Sequence, residues 1–311
     1  MPRQPRFKRA PDAPSLHLTS RDLAIFQHVA RHRFLNSQQI VALVGGSNQH
    51  VLKRLQRLYH SGYLDRPRAQ VRYFSEDGSQ PIAYALARKG ARALAEPNRQ
   101  PPRYDNRNVK QLYLQHTLLV ADVVIAFTRA CQSPPAPRLL MEEDLAPAIL
   151  PTAAFRWAVT VRRGDEAKRV GVVPDRVLVL ESPATKERIL YFIEADRATM
   201  PVKRRSLLQS SMLRKLLAYE ATWKDAVHRE RFGCQRFRVL VVTSSAERAH
   251  HLAALAAQLP RGRGLFLFTD ADALRGKVFP HVHETILELP WLTATGTTER
   301  LVDTFVEKKT A

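Results

Sequence analysis

Apolar residues recur at helical spacing through the first sixty positions of the chain. Leu23, Ile25, Phe26 and Val29 follow an entry at Leu18-Thr19-Ser20-Arg21-Asp22. Ser20 is the expected N-cap there, with Asp22 near the positive end of the helix dipole. A second helix opens at Asn36-Ser37, carries Ile40, Leu43 and Val44, and stops at Gly45-Gly46, where a positive φ costs nothing. A third starts at Ser47-Asn48 and turns Val51, Leu55 and Leu58 inward at i, i+4 and i+7. Its other face shows Asn48, Gln49, His50, Lys53, Arg54 and Arg57. From Gly62 the period shortens: a strand at 66–73, a turn at 76–79 and a strand at 82–86 predict a β-hairpin. Helix, helix, glycine turn, basic helix and ribbon is the order of a winged helix-turn-helix, here spanning 18–96 after a basic, Pro-rich leader at 1–17.

Residues 97–107 are polar and Pro-rich and read as a linker. A long amphipathic helix is expected from about 108 to 131, with Leu112, Leu118, Leu119, Val123, Ile125 and Phe127 on its apolar face and His116 near its middle. Beyond a second Pro cluster, residues 156–162 alternate, and 172–180, 189–195, 237–243 and 265–269 are apolar strand candidates. Helical stretches lie between them at about 203–227 and 246–259. Strands interleaved with helices predict a mixed sheet flanked by helices, so the fold class is α/β (α+β). That second domain is expected over 108–290, with 291–311 as a C-terminal tail.

Charge changes the picture. The 311 residues carry 49 Lys and Arg against 29 Asp and Glu, a formal charge of +20. The excess is uneven, because residues 1–110 hold 20 basic and 7 acidic side chains. A polyanionic partner follows, and double-stranded DNA is the obvious one, since each neutralised phosphate releases condensed counterion. In that reading Arg54 and Arg57 reach guanine edges or phosphate, Asn48 or Gln49 reads adenine, and Lys53 lies on the same face. Arg66, Arg68 and Arg72 serve the wing as phosphate contacts. No uninterrupted apolar run approaches the roughly 20 residues of a spanning helix, and the start is not a secretory signal. With only Cys131 and Cys234, far apart, two reduced thiols in a cytoplasmic protein are expected, with no membrane insertion.

The chemistry concentrates on two strands. Asp175 begins one, and Glu194 and Asp196 end the next, two apart and therefore on one face. If the strands are antiparallel neighbours, the acidic groups share one sheet edge. Three converging carboxylates repel unless a cation neutralises them, and hard oxygen donors at an open site suit Mg²⁺ or Mn²⁺. The alternative is that Asp175 follows a Pro turn and the other two mark a polar strand end.

Pro174-Asp175 followed by Glu194-x-Asp196 resembles the Pro-Asp…(Asp/Glu)-x-Lys pattern of the restriction-endonuclease-like fold. The wider order of LQHTLLVADV around His116, Glu142-Glu143, VPDRVLVL, FIEADRAT and Lys215-Leu216-x-x-Tyr219 resembles the replication-relaxation family of mobile-element proteins, over roughly residues 18 to 270. The resemblance implies a metal-dependent strand nick on DNA, with Asp175 and Glu194 as metal ligands and His116 with Glu142 or Glu143 as accessory members of the site. Asp196 stands where the wider superfamily has lysine, and Lys215 or Lys203 on the following segment would have to reach in instead. Tyr219, between apolar helical neighbours, reads as a packing residue rather than a nucleophile. The implied partners are DNA, conjugation or replication machinery, and a second copy of the chain as a homodimer. The competing account is a non-catalytic winged-helix replication or mobilisation accessory, or a regulator, whose nuclease-like domain is a scaffold.

Overall fold

A computed structural model describes residues 6–11, 13, 15–71, 80–95, 105–132, 134–145, 155–197, 201–202, 211–278 and 285–304. The chain divides into two compact units, one within Met1–Ile125 and a second that takes most of the remainder.

The first unit contains α1 (Ser20–His32), β1 (Leu35–Asn36), α2 (Ser37–Val44), α3 (Asn48–His60), β2 (Leu64–Asp65), β3 (Ala83–Leu86) and α4 (Arg88–Leu94). The strands form an antiparallel sheet in the order β1-β3-β2. Thr19, not Ser20, is the N-cap of α1. Its extended backbone lets Oγ1 accept from Asp22 N–H while Asp22 Oδ2 accepts from Thr19 N–H at 2.7 Å, a reciprocal capping box. The same device, Asn36 with Gln39, starts α2, and Gly45 ends it at φ +66°. Ile25, Phe26, Val29, Ile40, Leu55 and Leu58 are fully buried, although Leu23 lies on the exposed side of α1. The first hairpin strand is shorter and earlier than 66–73. Pro67 supplies no ladder N–H, and the chain leaves β2 for a single 3₁₀ turn at Arg68–Gln70. The expected turn at 76–79 lies outside the described residues.

The division between the units falls within α5 (Gln111–Ala130). By length and composition this helix could cross a membrane, although no uninterrupted apolar run spans it and 56 % of its most apolar window is buried. Its mean hydropathy survives the interruptions by Gln115, His116 and Asp122. In the first unit, Gln39 Nε2 donates to Leu118 O at 2.8 Å and to Asp122 Oδ1 at 2.6 Å, so α5 is fastened there by polar contacts.

The second unit adds β4 (Arg138–Met141), α6 (Glu142–Leu145), a β5–β6 hairpin (Trp157–Arg163, Glu166–Val172), β7 (Arg176–Glu181) and β8 (Arg188–Asp196). Then come α7 (Met212–Lys224), α8 (Val227–Phe232), β9 (Arg236–Thr243), α9 (Ala246–Ala257), β10 (Phe266–Asp270), α10 (Ala271–Val278), β11 (Trp291–Thr293) and β12 (Thr298–Glu299). Seven strands form one mixed sheet in the order β12-β11-β10-β9-β8-β7-β4. Within it β8, β9 and β10 are parallel and the remaining pairs antiparallel. The fold is α+β.

Two expectations shift. Residues 291–304 are not a tail: Trp291 is fully buried, and β11 and β12 extend the sheet beyond β10. The helix expected at 203–227 begins at Met212 within the described residues and breaks at Ala226, which takes φ +54° between α7 and α8. One sheet face, through Val177, Val179, Leu190, Phe192, Val239 and Val241, packs against α7 and α9 in a single apolar cluster. Phe192 touches Trp157, Tyr219, Phe232 and Phe237, so the hairpin, α7, α8 and β9 share one aromatic centre beside the β8 end.

Candidate functional site

The ladder between β7 and β8 is antiparallel, with Arg176 opposite Ile193. One residue beyond it, Asp175 remains fastened: its N–H donates to Ile193 O at 3.0 Å, and its Oδ2 accepts from Ala195 N–H at 2.8 Å. Asp175 therefore lies beside the stretch of β8 that carries Glu194. On that strand Glu194 and Asp196 follow Phe192 on the face packed by α7 and α9.

Helix α7 supplies the rest. Ser211 caps it, its Oγ accepting from Arg214 N–H at 3.2 Å. Lys215 and Tyr219, at i and i+4, lie on one face. Lys215 Nζ donates to Glu194 Oε2 at 2.5 Å, and Tyr219 Oη donates to Glu194 Oε1 at 2.6 Å. Glu194 and Tyr219 are buried, at 3 % and 1 % exposure, while the Lys215 side chain keeps 36 %. A cavity of about 200 Å³ opens here, lined by Gly171, Val172, Glu194, Ser211, Arg214 and Lys215.

Burial pushes the Glu194 carboxyl above its ordinary value; Lys215 pulls it down, and the neighbouring Asp175 charge pushes it further up. Burial works against the Lys215 charge, yet Glu194 and Asp175 raise its pKa. The Tyr219 hydroxyl is raised well above its usual range by burial and by Glu194, so it stays a proton donor rather than a phenolate.

Asp196 has a separate partner. Arg248 Nε, in the first turns of α9, donates to its Oδ2 at 2.8 Å, and both side chains are largely buried. The repulsion expected among three carboxylates is thus met by two protein cations, one of them a residue the sequence reading did not single out. The signal for Arg248 was its place just after β9, the parallel neighbour of β8. Glu142, at the start of α6, spends Oε1 on Val177 N–H at 2.9 Å, which places it at the neighbouring strand end. Glu143 follows it on α6. His116 belongs to the first unit, on α5. Lys203 lies outside the described residues.

In the first unit the α3 face is sorted by partner. Asn48, Gln49, Lys53 and Arg57 are exposed. Arg54 is not available as expected: its Nε donates to Asp22 Oδ1 at 2.8 Å, and its guanidinium also bonds Asp22 Oδ2 and His17 O. Asp22 is fully buried at the start of α1, so Arg54 ties α3 to α1. Arg66 is likewise taken, 9 % exposed, with its guanidinium over the Tyr59 ring at 4.1 Å and bonded to Tyr84 Oη at 3.1 Å. Arg68 is exposed, and Arg72 lies outside the described residues.

The family model described as replication-relaxation matches residues 26–235. The chain belongs to the replication-relaxation family. That match runs from α1 through β7, β8 and α7, so it covers both units and the Asp175–Glu194–Lys215 cluster. No curated protein and no solved structure matches the chain.

Whether this family member's site suits a divalent cation turns on its donors. Among the described residues no group of three or more His, Cys, Asp and Glu is arranged to hold a metal ion. Mg²⁺, however, is commonly held by one or two carboxylates with water and substrate phosphate completing the shell. Asp175 and Glu194, adjacent across β7 and β8 and electrostatically unfavourable together, fit that smaller donor set. Asp196, neutralised by Arg248, does not add a third.

Proposed function

We propose that this replication-relaxation protein is a mobile-element DNA-binding protein of the cytoplasm that selects its site with a winged helix in the first unit and nicks one strand with the second. The observation that carries the cleavage half is the meeting of Asp175, Glu194 and Lys215 at one sheet edge. An acid, an acid and a lysine are brought together there although the lysine comes from a helix rather than from the strand position two residues after Glu194.

Asp175 and Glu194 would hold Mg²⁺ or Mn²⁺. When bound, such an ion lowers the pKa of coordinated water and offsets charge on a phosphate under attack. The protein's own contribution is positioning. Ala195 N–H fixes Asp175, Tyr219 Oη fixes one oxygen of Glu194, and Arg248 removes Asp196 from competition for the same charge. Lys215, partly exposed beside the cavity, presents an ammonium that donates to a non-bridging phosphate oxygen as negative charge builds there. In the first unit, α3 presents Asn48, Gln49, Lys53 and Arg57 to the major groove, and Arg68 supports the backbone.

A second reading, a non-catalytic replication or mobilisation accessory that docks other machinery or a second copy, is favoured by one observation. Both Glu194 oxygens already accept hydrogen bonds, so the cluster is internally satisfied. A supercoiled-plasmid nicking assay with Mn²⁺ separates the two. Cleavage by the wild type that is lost in Asp175→Ala supports the nuclease. Equal activity in both proteins, or none with plasmid carrying the cognate origin, supports the accessory.

A further inference from the structure

One concavity of the first unit lies apart from the exposed α3 residues Asn48, Gln49 and Lys53. It has a volume of about 910 Å³ and lies around the C-terminal turn of α3, β2 and the start of α4. Lys8, Arg9, Arg68, Arg88, Lys89 and Arg107 ring it, and Asp65 is its single carboxylate among the described residues. Asp65 is already paired with Arg9 and accepts from Asn106 Nδ2 at 2.8 Å, so it does not offset the remaining cations. Arg66 also lines the cavity. It is nine-tenths buried, its plane is held against the Tyr59 ring, and its Nε–H has no hydrogen-bond partner among the described residues.

The cations crowded round the buried Arg66 guanidinium repel one another, and an anion in the cavity offsets that repulsion. We infer that this cavity is a second nucleic-acid site, which takes the phosphodiester backbone of a single strand. Three features select that ligand. The cations come from four separate chain segments (the leader, the turn after β2, the start of α4 and the segment before α5), which suits charges repeated along a backbone. The volume is that of a small-ligand cleft, sized for a few nucleotides rather than for a duplex. Finally, Tyr59 at its wall and Asn48 on the exposed face are eleven residues apart on α3, about 16 Å along the helix at 1.5 Å per residue. A duplex centred on Asn48, Gln49 and Lys53 and a strand in the cavity therefore lie along different parts of one helix, with Arg57 between them. The inference uses none of the nuclease residues; it shares with the proposed function the expectation that nucleic acid is bound and the residue Arg68, which the test leaves in place.

The test is fluorescence anisotropy with the full-length protein and two probes, a labelled (dT)12 and a labelled (dT)12·(dA)12 duplex. Arg88→Ser/Lys89→Ser/Arg107→Ser removes three exposed cations, at the cost of the Lys89 Nζ bond to Ser61 O at 3.2 Å. It should weaken (dT)12 binding at least 10-fold while changing duplex affinity no more than 2-fold. Gln49→Ala/Lys53→Ala should do the reverse. The charge reversal Arg88→Glu/Arg107→Glu, with its melting curve checked against wild type, should abolish (dT)12 binding without loss of fold. Unchanged (dT)12 affinity in both cavity variants overturns the assignment. Equal losses for both probes also overturn it, because the cavity would then belong to the duplex surface. Inorganic tripolyphosphate that displaces (dT)12 at or below the oligonucleotide's own Kd would overturn it as well, in favour of a nucleotide pocket.

Discussion

Asp22 in the first unit and Glu194 in the second are both buried carboxylates paired with a cation from a neighbouring helix, and they behave in opposite ways. Burial pushes Asp22 up, but the Arg54 fork and the Thr19 N–H and hydroxyl outweigh it, and the carboxyl is held below its ordinary value. At Glu194 burial prevails over one lysine and one tyrosine, and the Asp175 charge beside it adds to the rise. An arginine fork with a capping box saturates a carboxylate; a single ammonium and a neutral hydroxyl next to a second acid leave it short of positive charge. The first arrangement is structural. The second is what a group needs if it is to accept a further cation or exchange a proton.

Removing each cation is the strongest way to break that comparison. Lys215→Ala should reduce plasmid nicking by about 10²–10⁴-fold, the range for losing one group that supports charge in a transition state. Arg54→Ala, measured per folded molecule, should leave nicking unchanged. It should instead cost the first unit about 3 kcal/mol in denaturant unfolding, because Asp22 is fully buried and loses its counter-charge. Wild-type nicking by Lys215→Ala, or undiminished stability of Arg54→Ala, would erase the distinction.

Acid sharpens it further. Asp22 has a depressed pKa, so its pair stabilises the fold above the ordinary carboxyl value and that stability is lost as pH falls through the depressed one. The Arg54→Ala penalty should therefore shrink as the pH falls below the ordinary value of 3.8. Glu194 has a raised pKa, so its folded form takes up a proton more readily than its unfolded form. Lys215→Ala should gain stability as pH falls from neutral toward the ordinary value of 4.5, where wild type gains less. Nicking by wild type should fall off on the acid side at a higher pH than an ordinary glutamate would give. Melting temperatures and initial nicking rates across that range check all three.

Much of this was legible in the chain itself. The periodicity located α1, α2 and α3, and the apolar strands ending in Glu194 and beginning at Asp175 were visible as pattern. Antiparallel pairing of β7 with β8 entered there only as a condition, which the ladder meets. Lys215 was visible only as a candidate, since a residue twenty-one positions after Glu194 reaches it through the packing of α7 on the sheet. Arg248 was invisible for the same reason, with a parallel crossover between it and Asp196. Arg54 and Arg66 misled because charge on a helix face looks alike whether it meets phosphate or a buried partner. Asp22, read from sequence as a dipole residue, turned out to be that partner for Arg54. The short strands β11 and β12 lack any apolar run: β11 is held by pairing to β10 and by buried Trp291, and β12 by pairing to β11 and by the Arg238–Glu299 ion pair at 2.6 Å.

The smallest effect tests why Asp22 is saturated. Thr19→Ala removes one acceptor for the Asp22 N–H and one hydroxyl donor to Oδ2, but leaves the Thr19 backbone N–H in place. Loss of such a cap typically costs about 1 kcal/mol, and Thr19→Ser should restore it. Because the hydroxyl and Arg54 act on the same carboxylate, their effects should not add. In a double-mutant cycle Thr19→Ala should cost more in the Arg54→Ala background, where the hydroxyl becomes one of the few donors left to a buried charge. If the two losses simply add, Asp22 is held by independent contacts, and the contrast with Glu194 rests on the arginine fork alone.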